Sequence, residues 1–165
     1  MRATMMDTPL TINEILRYGT TAYRAQEVVT ATKGAGEVGG VRRRSYRELG
    51  ARAARLAGAL RGLGVTGDQR VATLMWNNAE HLEAYLAIPS MGAVLHTLNL
   101  RLDPAVIGYI ADHAGDDVVI VDATLVPLLA MTLVAGFWIW RDHRVEDSVP
   151  GTLTLSSPTS VPKAL

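Results

Sequence analysis

The chain has 165 residues, a length that fits one globular domain and is too short for two full ones. Its 16 Lys and Arg balance 16 Asp and Glu, and the net charge of zero excludes a nucleic-acid-binding surface spread over the whole molecule. The absence of cysteine excludes disulfides, thiolate zinc sites and cysteine nucleophiles. The first ten residues lack the apolar core of a secretory signal, which favours a cytoplasmic location.

The first part of the chain is predicted to form a helix and a β-hairpin. Apolar residues at helical spacing predict a short helix within Thr11–Gln26. Glu27–Ala31 and Val41–Arg43 are predicted strands on either side of the glycine-rich turn Lys33–Gly40. A G-x-G-x-x-G pattern falls in this turn. Because it opens no helix with an apolar face, we interpret it as a turn and not as a phosphate loop.

A well-specified helix is predicted to begin at Ser45. Ser45 and Glu48 have the spacing of a capping box, in which each side chain satisfies a free backbone donor of the other. Four apolar residues spaced by four, three and four form one face of this helix: Leu49, Ala53, Leu56 and Leu60. The arginines of this region are interpreted as a solvated surface and not as a nucleic-acid site: Arg42, Arg43, Arg44, Arg47, Arg52, Arg55 and Arg61.

An alternation of strands and helices follows. The predicted strands are the apolar runs Arg70–Trp76, Ala93–Leu98 and Val118–Val121. Asn77 with Glu80 is predicted to cap the first intervening helix, and Asp103 with Pro104 at the first helical position is predicted to start the second. Near-continuous apolar strands between helices predict an α/β fold with a mainly parallel sheet and flanking helices.

The isolated polar residues of this region do not indicate a catalytic or metal-binding site. His81 and His96 have no third ligand at metal-binding spacing and are interpreted as packing or surface residues. His113 lies at a helix C-terminus, where a positive charge offsets the helix dipole. The acids around the last strand are interpreted as turn residues: Asp116, Asp117 and Asp122. We therefore assign no catalytic, cofactor-binding or metal-binding residue.

Three stretches together resemble a known family, the adenylate-forming acyl-CoA synthetases, and among them the fatty-acid–CoA ligases most closely. The stretches are Ser45–Leu49 running into Arg52–Ala57, Asn77–Ala87, and Gly92–Leu102. The resemblance continues through Asp103, Pro104 and Val118–Asp122, and covers about residues 4–130 in the expected order. Arg101 belongs to the best-matching stretch, but the sequence assigns it no role.

The resemblance implies a two-step reaction in the complete enzyme. A carboxylate attacks the α-phosphate of ATP to give an acyl-adenylate and pyrophosphate, and the thiol of coenzyme A then displaces AMP. ATP, Mg²⁺, coenzyme A and a fatty acid are the ligands implied for that enzyme. None is expected to bind this chain as a cofactor, and self-association through exposed sheet edges and apolar faces is expected.

The motifs that carry this chemistry in the family are missing here. The family's phosphate loop has the form T-S-G-T-T-G-x-P-K-G, and Ser156–Lys163 echoes it only faintly, without a glycine where the backbone must approach phosphate. The expected organisation is residues 4–130 as the N-terminal part of a synthetase domain, partial with respect to the family and inactive alone, and 131–165 as an unmatched, irregular tail. A truncated or frameshifted gene product is the explanation that the sequence favours.

The segment 123–140 leaves a second interpretation open. It holds 18 consecutive uncharged residues, ends in Trp138 and Trp140, and is followed by Arg141 and Arg144, as a membrane span and its interfacial anchors would be. The alternative is therefore a small membrane-tethered or interaction protein anchored through 123–140. The first half of segment 123–140 also continues smoothly from the last strand, as an ordinary core helix would.

Overall fold

The computed structural model of the chain describes residues 9–32 and 40–133. In that part, a helix and a hairpin precede a long helix, after which strands and helices alternate. The elements are α1 (Ile12–Thr21), β1 (Glu27–Thr32), β2 (Gly40–Ser45), α2 (Tyr46–Gly62), β3 (Arg70–Leu74), α3 (Ala79–Ser90), β4 (Val94–Thr97), α4 (Pro104–Ala114), β5 (Asp116–Val121) and a 3-10 turn (Ala123–Leu125).

The central feature is a three-stranded parallel sheet in the order β4-β3-β5. Arg70 of β3 is aligned with Val94 of β4 and with Asp116 of β5, and both pairings are parallel. Each connection contains a helix, as parallel neighbours require. The predicted α/β class with a mainly parallel sheet and flanking helices is confirmed.

Helices cover both faces of this sheet. On one face, α2 and α3 pack against the sheet in a core that includes Leu60, Val71 and Ile88. On the other face, Ile107 of α4 packs with Ala72 and Leu74. Because both faces are covered, the last four residues of β3 are buried, including the polar Thr73.

The hairpin and the predicted helix start at Ser45 are confirmed. β1 and β2 are antiparallel, with Glu27 opposite Ser45. The Ser45 hydroxyl accepts from the Glu48 backbone N–H, and the Glu48 carboxylate accepts from the Ser45 N–H at 2.8 Å. The glycine-rich turn between the strands lies outside the described residues, apart from Gly40.

The two later helix starts differ in how well the sequence predicted them. Asp103 caps α4 as predicted, because its carboxylate accepts from the Ala105 N–H at 2.9 Å. The cap assigned to Asn77 was wrong by one residue, since Asn78 caps α3 by accepting from the His81 N–H at 2.9 Å. The Glu80 carboxylate binds the arginines of β2 instead.

The segment 123–140 begins as a core element. The 3-10 turn continues into a helix over residues 126–133, whose Leu128 and Leu129 pack against the second core. Over the described residues, no helix combines the length and the apolar character needed to cross a membrane. The rest of the segment, from residue 134, and the echo at Ser156–Lys163 lie outside the described residues.

Candidate functional site

A cleft of about 780 Å³ opens at the carboxyl ends of β3 and β4. Parallel α/β sheets commonly bind ligands at this edge, because the loops that leave the strands there surround a crevice. The lining comes from the loop after β3, from α3 and from the loop after β4: Met75, Trp76, Asn77, His81, Leu82, Tyr85, Leu98, Asn99, Leu100 and Arg101.

Two aromatic rings and one cation distinguish this cleft. The side chains of Trp76 and Tyr85 are 52% and 45% exposed, although both residues border the cleft. Arg101 is exposed, and its backbone N–H donates to the Asn99 side-chain oxygen at 3.0 Å, which fixes the turn after β4. The cleft therefore offers flat apolar surfaces beside a guanidinium group.

The Trp76 loop, which follows β3, is held by residues that follow β5, on the side of β3 away from β4. The Asp122 carboxylate, which follows β5, accepts from the Trp76 backbone N–H at 3.3 Å and from the Asn78 side-chain amide at 2.9 Å. The Trp76 indole Nε1 donates to the Thr124 hydroxyl at 2.9 Å. The assignment of Asp122 to turn chemistry was therefore wrong, because its side chain joins two loops that are distant in sequence.

His81 borders the cleft. A hydrogen bond of 3.0 Å joins its Nε2 to the Thr73 hydroxyl, and its ring meets that of Tyr85 edge to face, with centroids 5.0 Å apart. Burial lowers the pKa of His81 below its ordinary value, against smaller opposing effects of a backbone hydrogen bond at Trp76 and the charge of Asp122. This supports the interpretation of His81 as a packing residue.

His96 and His113 do not line the cleft. Nδ1 of His96 lies 2.9 Å from both carboxylate oxygens of Asp116, so the interpretation of Asp116 as a turn residue was also wrong. His113 lies in the last turn of α4, as predicted, and stacks on Tyr109 with ring centroids 5.5 Å apart. Asp117 is exposed within β5.

Three of the arginines assigned to a solvated surface form an ion-pair network. Glu83 of α3 accepts from Arg44 of β2 at 2.7 Å and from Arg52 of α2, while Glu80 contacts Arg42 and Arg44. The side chains of Glu83 and Arg44 are only 6% and 15% exposed. The network thus fixes the hairpin and α2 to α3, which periodicity could not reveal because the partners are far apart in sequence.

The described residues do not fit a magnesium–triphosphate group. In residues 9–32 and 40–133, no three His, Asp or Glu side chains form a group that could hold a metal ion. The cleft supplies one guanidinium group but no glycine-rich run of backbone donors, which a triphosphate site needs. Its chemistry suits a smaller anionic group beside a planar ring.

Comparison with known proteins gives a consistent result. The sequence model for "AMP-binding enzyme" matches residues 21–157. The long-chain-fatty-acid–CoA ligase of Thermus thermophilus is 46% identical over 127 residues, which are 77% of this chain and 23% of that protein. The medium-chain-fatty-acid–CoA ligase of Ectopseudomonas oleovorans is 38% identical over 130 residues, which are 79% of this chain and 23% of that protein. The chain thus spans about a quarter of the length of these relatives.

A solved structure shows the same fold. The inhibitor-bound N-terminal domain of FACL13 from Mycobacterium tuberculosis matches with a TM-score of 0.60 and 29% identity. The match covers 73% of this chain and 29% of that domain. The described elements therefore correspond to part of a larger domain in that protein.

Proposed function

Because this chain belongs to the AMP-binding enzyme family, we propose that it supplies the N-terminal part of a fatty-acid–CoA ligase. The parent reaction would join a fatty acid to coenzyme A through an acyl-adenylate, with ATP as the energy source. The observation that supports this proposal is the 46% identity to a long-chain-fatty-acid–CoA ligase over 77% of the chain. The cytoplasm is the proposed location.

We propose further that these 165 residues alone have no ligase activity. Adenylate formation requires donors and cations arranged around the phosphorus that is attacked, and loss of one such donor typically costs about 10²–10³ in rate. The sequence holds no T-S-G-T-T-G phosphate loop, and the described residues do not fit a magnesium–triphosphate group.

Fatty-acid-dependent exchange of labelled pyrophosphate into ATP tests this directly, because it reports the first half-reaction without coenzyme A. We expect no exchange above a protein-free control, while the Thermus thermophilus ligase in the same assay supplies the positive control. Exchange by this chain that is abolished in Lys163→Ala would contradict the proposal and would make Ser156–Lys163 a degenerate phosphate loop.

The cleft is the part of the chain that we propose contacts a ligand, and the chemistry that fits it is an adenine nucleotide. Trp76 and Tyr85 offer exposed aromatic faces on which a base can stack. Arg101 offers a planar cation for a phosphate. Asn77 and Asn99 add donors and acceptors for the base edge. An adenine ring together with a single phosphate group is the part that ATP and coenzyme A, two substrates of the parent reaction, have in common.

Equilibrium binding to the purified chain distinguishes ATP from coenzyme A as the ligand of the cleft. Isothermal titration with ATP, coenzyme A and pantetheine identifies which molecule binds and whether its nucleotide is needed. We expect Arg101→Ala to weaken nucleotide binding about tenfold or more, because a hydrogen bond to a charged group is lost. Arg61→Ala, on the exposed end of α2, is the matched control. Equal affinities for coenzyme A and pantetheine, or no effect of Arg101→Ala, would contradict a nucleotide site in the cleft.

A membrane-tethered protein is the second candidate, favoured by the uncharged segment 123–140. Flotation with lipid vesicles tests it, using Leu133→Lys because this residue is exposed at the end of the described helix and its substitution leaves the core intact. Flotation of the wild-type chain that is lost in Leu133→Lys would favour the anchor, whereas wild-type chain that stays in the aqueous fraction would exclude it.

A further inference from the structure

We propose that Thr124 is a positioning residue that fixes the indole of Trp76 as a wall of the cleft, and that Asp122 fixes the loop that carries it. The role of Trp76 toward a ligand rests on the proposed function, whereas the orientation of its ring does not. Neither Thr124 nor Asp122 lines the cleft. Both would therefore act through Trp76.

Burial alone does not hold the Trp76 ring. Because the side chain is 52% exposed, packing leaves its orientation weakly determined, and the hydrogen bond from Nε1 to the Thr124 hydroxyl is the directional contact. The Asp122 carboxylate accepts from the backbone N–H of the same residue. Thr124 thus fixes the ring of Trp76 and Asp122 fixes its backbone, and these two residues are the ends of the segment 122–124.

That segment is itself rigid. The Asp122 N–H donates to the Leu74 carbonyl at 3.1 Å, which continues the pairing with β3 one residue past the end of β5. The Leu125 N–H donates to the Asp122 carbonyl at 2.8 Å, and the Leu125 side chain is buried. Thr124 therefore lies in a 3-10 turn anchored at both sides, so its hydroxyl is presented to the indole at a defined place.

The arrangement couples the two sides of the sheet. The cleft lies over the ends of β3 and β4, whereas Asp122 and Thr124 follow β5 on the other side of β3. A ligand that stacks on Trp76 would meet a ring already held in place, so less rotamer freedom would be lost on binding. Removal of the Thr124 hydroxyl is expected to weaken stacking without removing a ligand contact.

Fluorescence of Trp76 tests the orientation independently of any ligand. In a background with Trp138→Phe and Trp140→Phe, Trp76 is the one remaining tryptophan of the chain. Thr124→Val should increase acrylamide quenching and lower the anisotropy of the indole, and Thr124→Ser should restore both values to those of the background. Thr97→Val, at an exposed position of β4, is the matched control for the loss of a hydroxyl.

The expected effect on binding is a rise in the Kd of the nucleotide of about three- to tenfold in Thr124→Val, with recovery in Thr124→Ser. Asp122→Asn, read by the same fluorescence, provides a second variant should Thr124→Val unfold. Unchanged quenching and anisotropy in both folded variants would overturn the proposal. Altered fluorescence in a chain that binds neither ATP nor coenzyme A would support the positioning role and refute the nucleotide site.

Discussion

The imidazole of His96 and the carboxylate of Asp116 link the two outer strands of the parallel sheet. Nδ1 of His96 lies 2.9 Å from each oxygen of Asp116, although β3 separates the strands that carry them. Ala72, beside His96 in the register of β3 and β4, carries only a methyl group. The Asp116 side chain is 2% exposed and that of His96 26%, so the carboxylate is shielded from water and the imidazole is partly exposed.

We expect Asp116→Asn to lower the free energy of unfolding by about 1.5–3 kcal/mol, because it removes the charge from a buried hydrogen-bonded pair. Urea denaturation measures the loss, and Asp117→Asn, which alters the exposed neighbouring carboxylate, is the control. If the contact between Asp116 and His96 causes the loss of stability, Asp116→Asn lowers the free energy of unfolding much less in a His96→Leu background. Equal costs in both backgrounds would show that the two residues act separately.

The Glu83 carboxylate is the centre of the ion-pair network between β2, α2 and α3. We expect Glu83→Ala to destabilise the chain by about 3 kcal/mol, because Arg52 then loses this carboxylate and the nearly buried Arg44 is left with the more exposed Glu80. Glu80→Ala should cost less, since the Glu80 side chain is more exposed and Glu83 still binds Arg44. A larger loss for Glu80→Ala in urea denaturation would contradict this order.

Two glycines of α2 should respond in opposite directions to the same substitution. A Cβ atom at Gly50 would lie 2.3 Å from Cγ2 of Thr20 in α1, whereas one at Gly58 would meet nothing within 4 Å. We expect Gly50→Ala to destabilise by about 1–3 kcal/mol through overpacking. Gly58→Ala should stabilise by about 1 kcal/mol through helix propensity. Thermal unfolding checks the signs, and stabilisation by both substitutions would mean that α1 does not pack on Gly50.

Stability should fall as the pH is lowered through the range just below 6.5. Burial lowers the pKa of His81 below the ordinary value of 6.5, so the unfolded chain binds a proton that the folded chain resists. The contribution is therefore present above pH 6.5 and is lost as the pH falls toward the lower pKa of the folded state. His81→Gln should flatten this part of the curve of unfolding free energy against pH.

Self-association through the sheet edges follows from the pairing of β4, which in the described sheet bonds to β3 alone. Its free edge can pair with another chain. Val94 is an exposed apolar residue of this strand, and Val94→Lys should reduce the sedimentation coefficient of concentrated samples. Leu63→Lys removes an exposed apolar residue that lies after α2, outside any strand, and is the control. A monodisperse wild-type monomer would contradict the prediction.

Features that depend on neighbouring residues could be predicted from the amino-acid order alone. The capping box of Ser45 and Glu48, the start of α4 at Asp103 and the order of parallel strands and helices all follow from spacing within a few residues. These signals are strong because the free backbone donors at a helix start are satisfied by side chains a few residues away. The face on which a side chain lies follows from the periodicity of the helix or strand.

The contacts between polar groups that are distant in the chain depend on the three-dimensional fold. Glu80 has the spacing of a helix cap, yet its carboxylate binds the arginines of β2, and Asp116 and Asp122 look like turn residues, yet they contact His96 and the Trp76 loop. The cleft likewise exists because β3 and β4 end side by side, which brings Trp76 and Arg101 to one place. A charged or polar side chain can satisfy its hydrogen bonds in many ways, and only the packing of helices on both faces of the sheet selects among them.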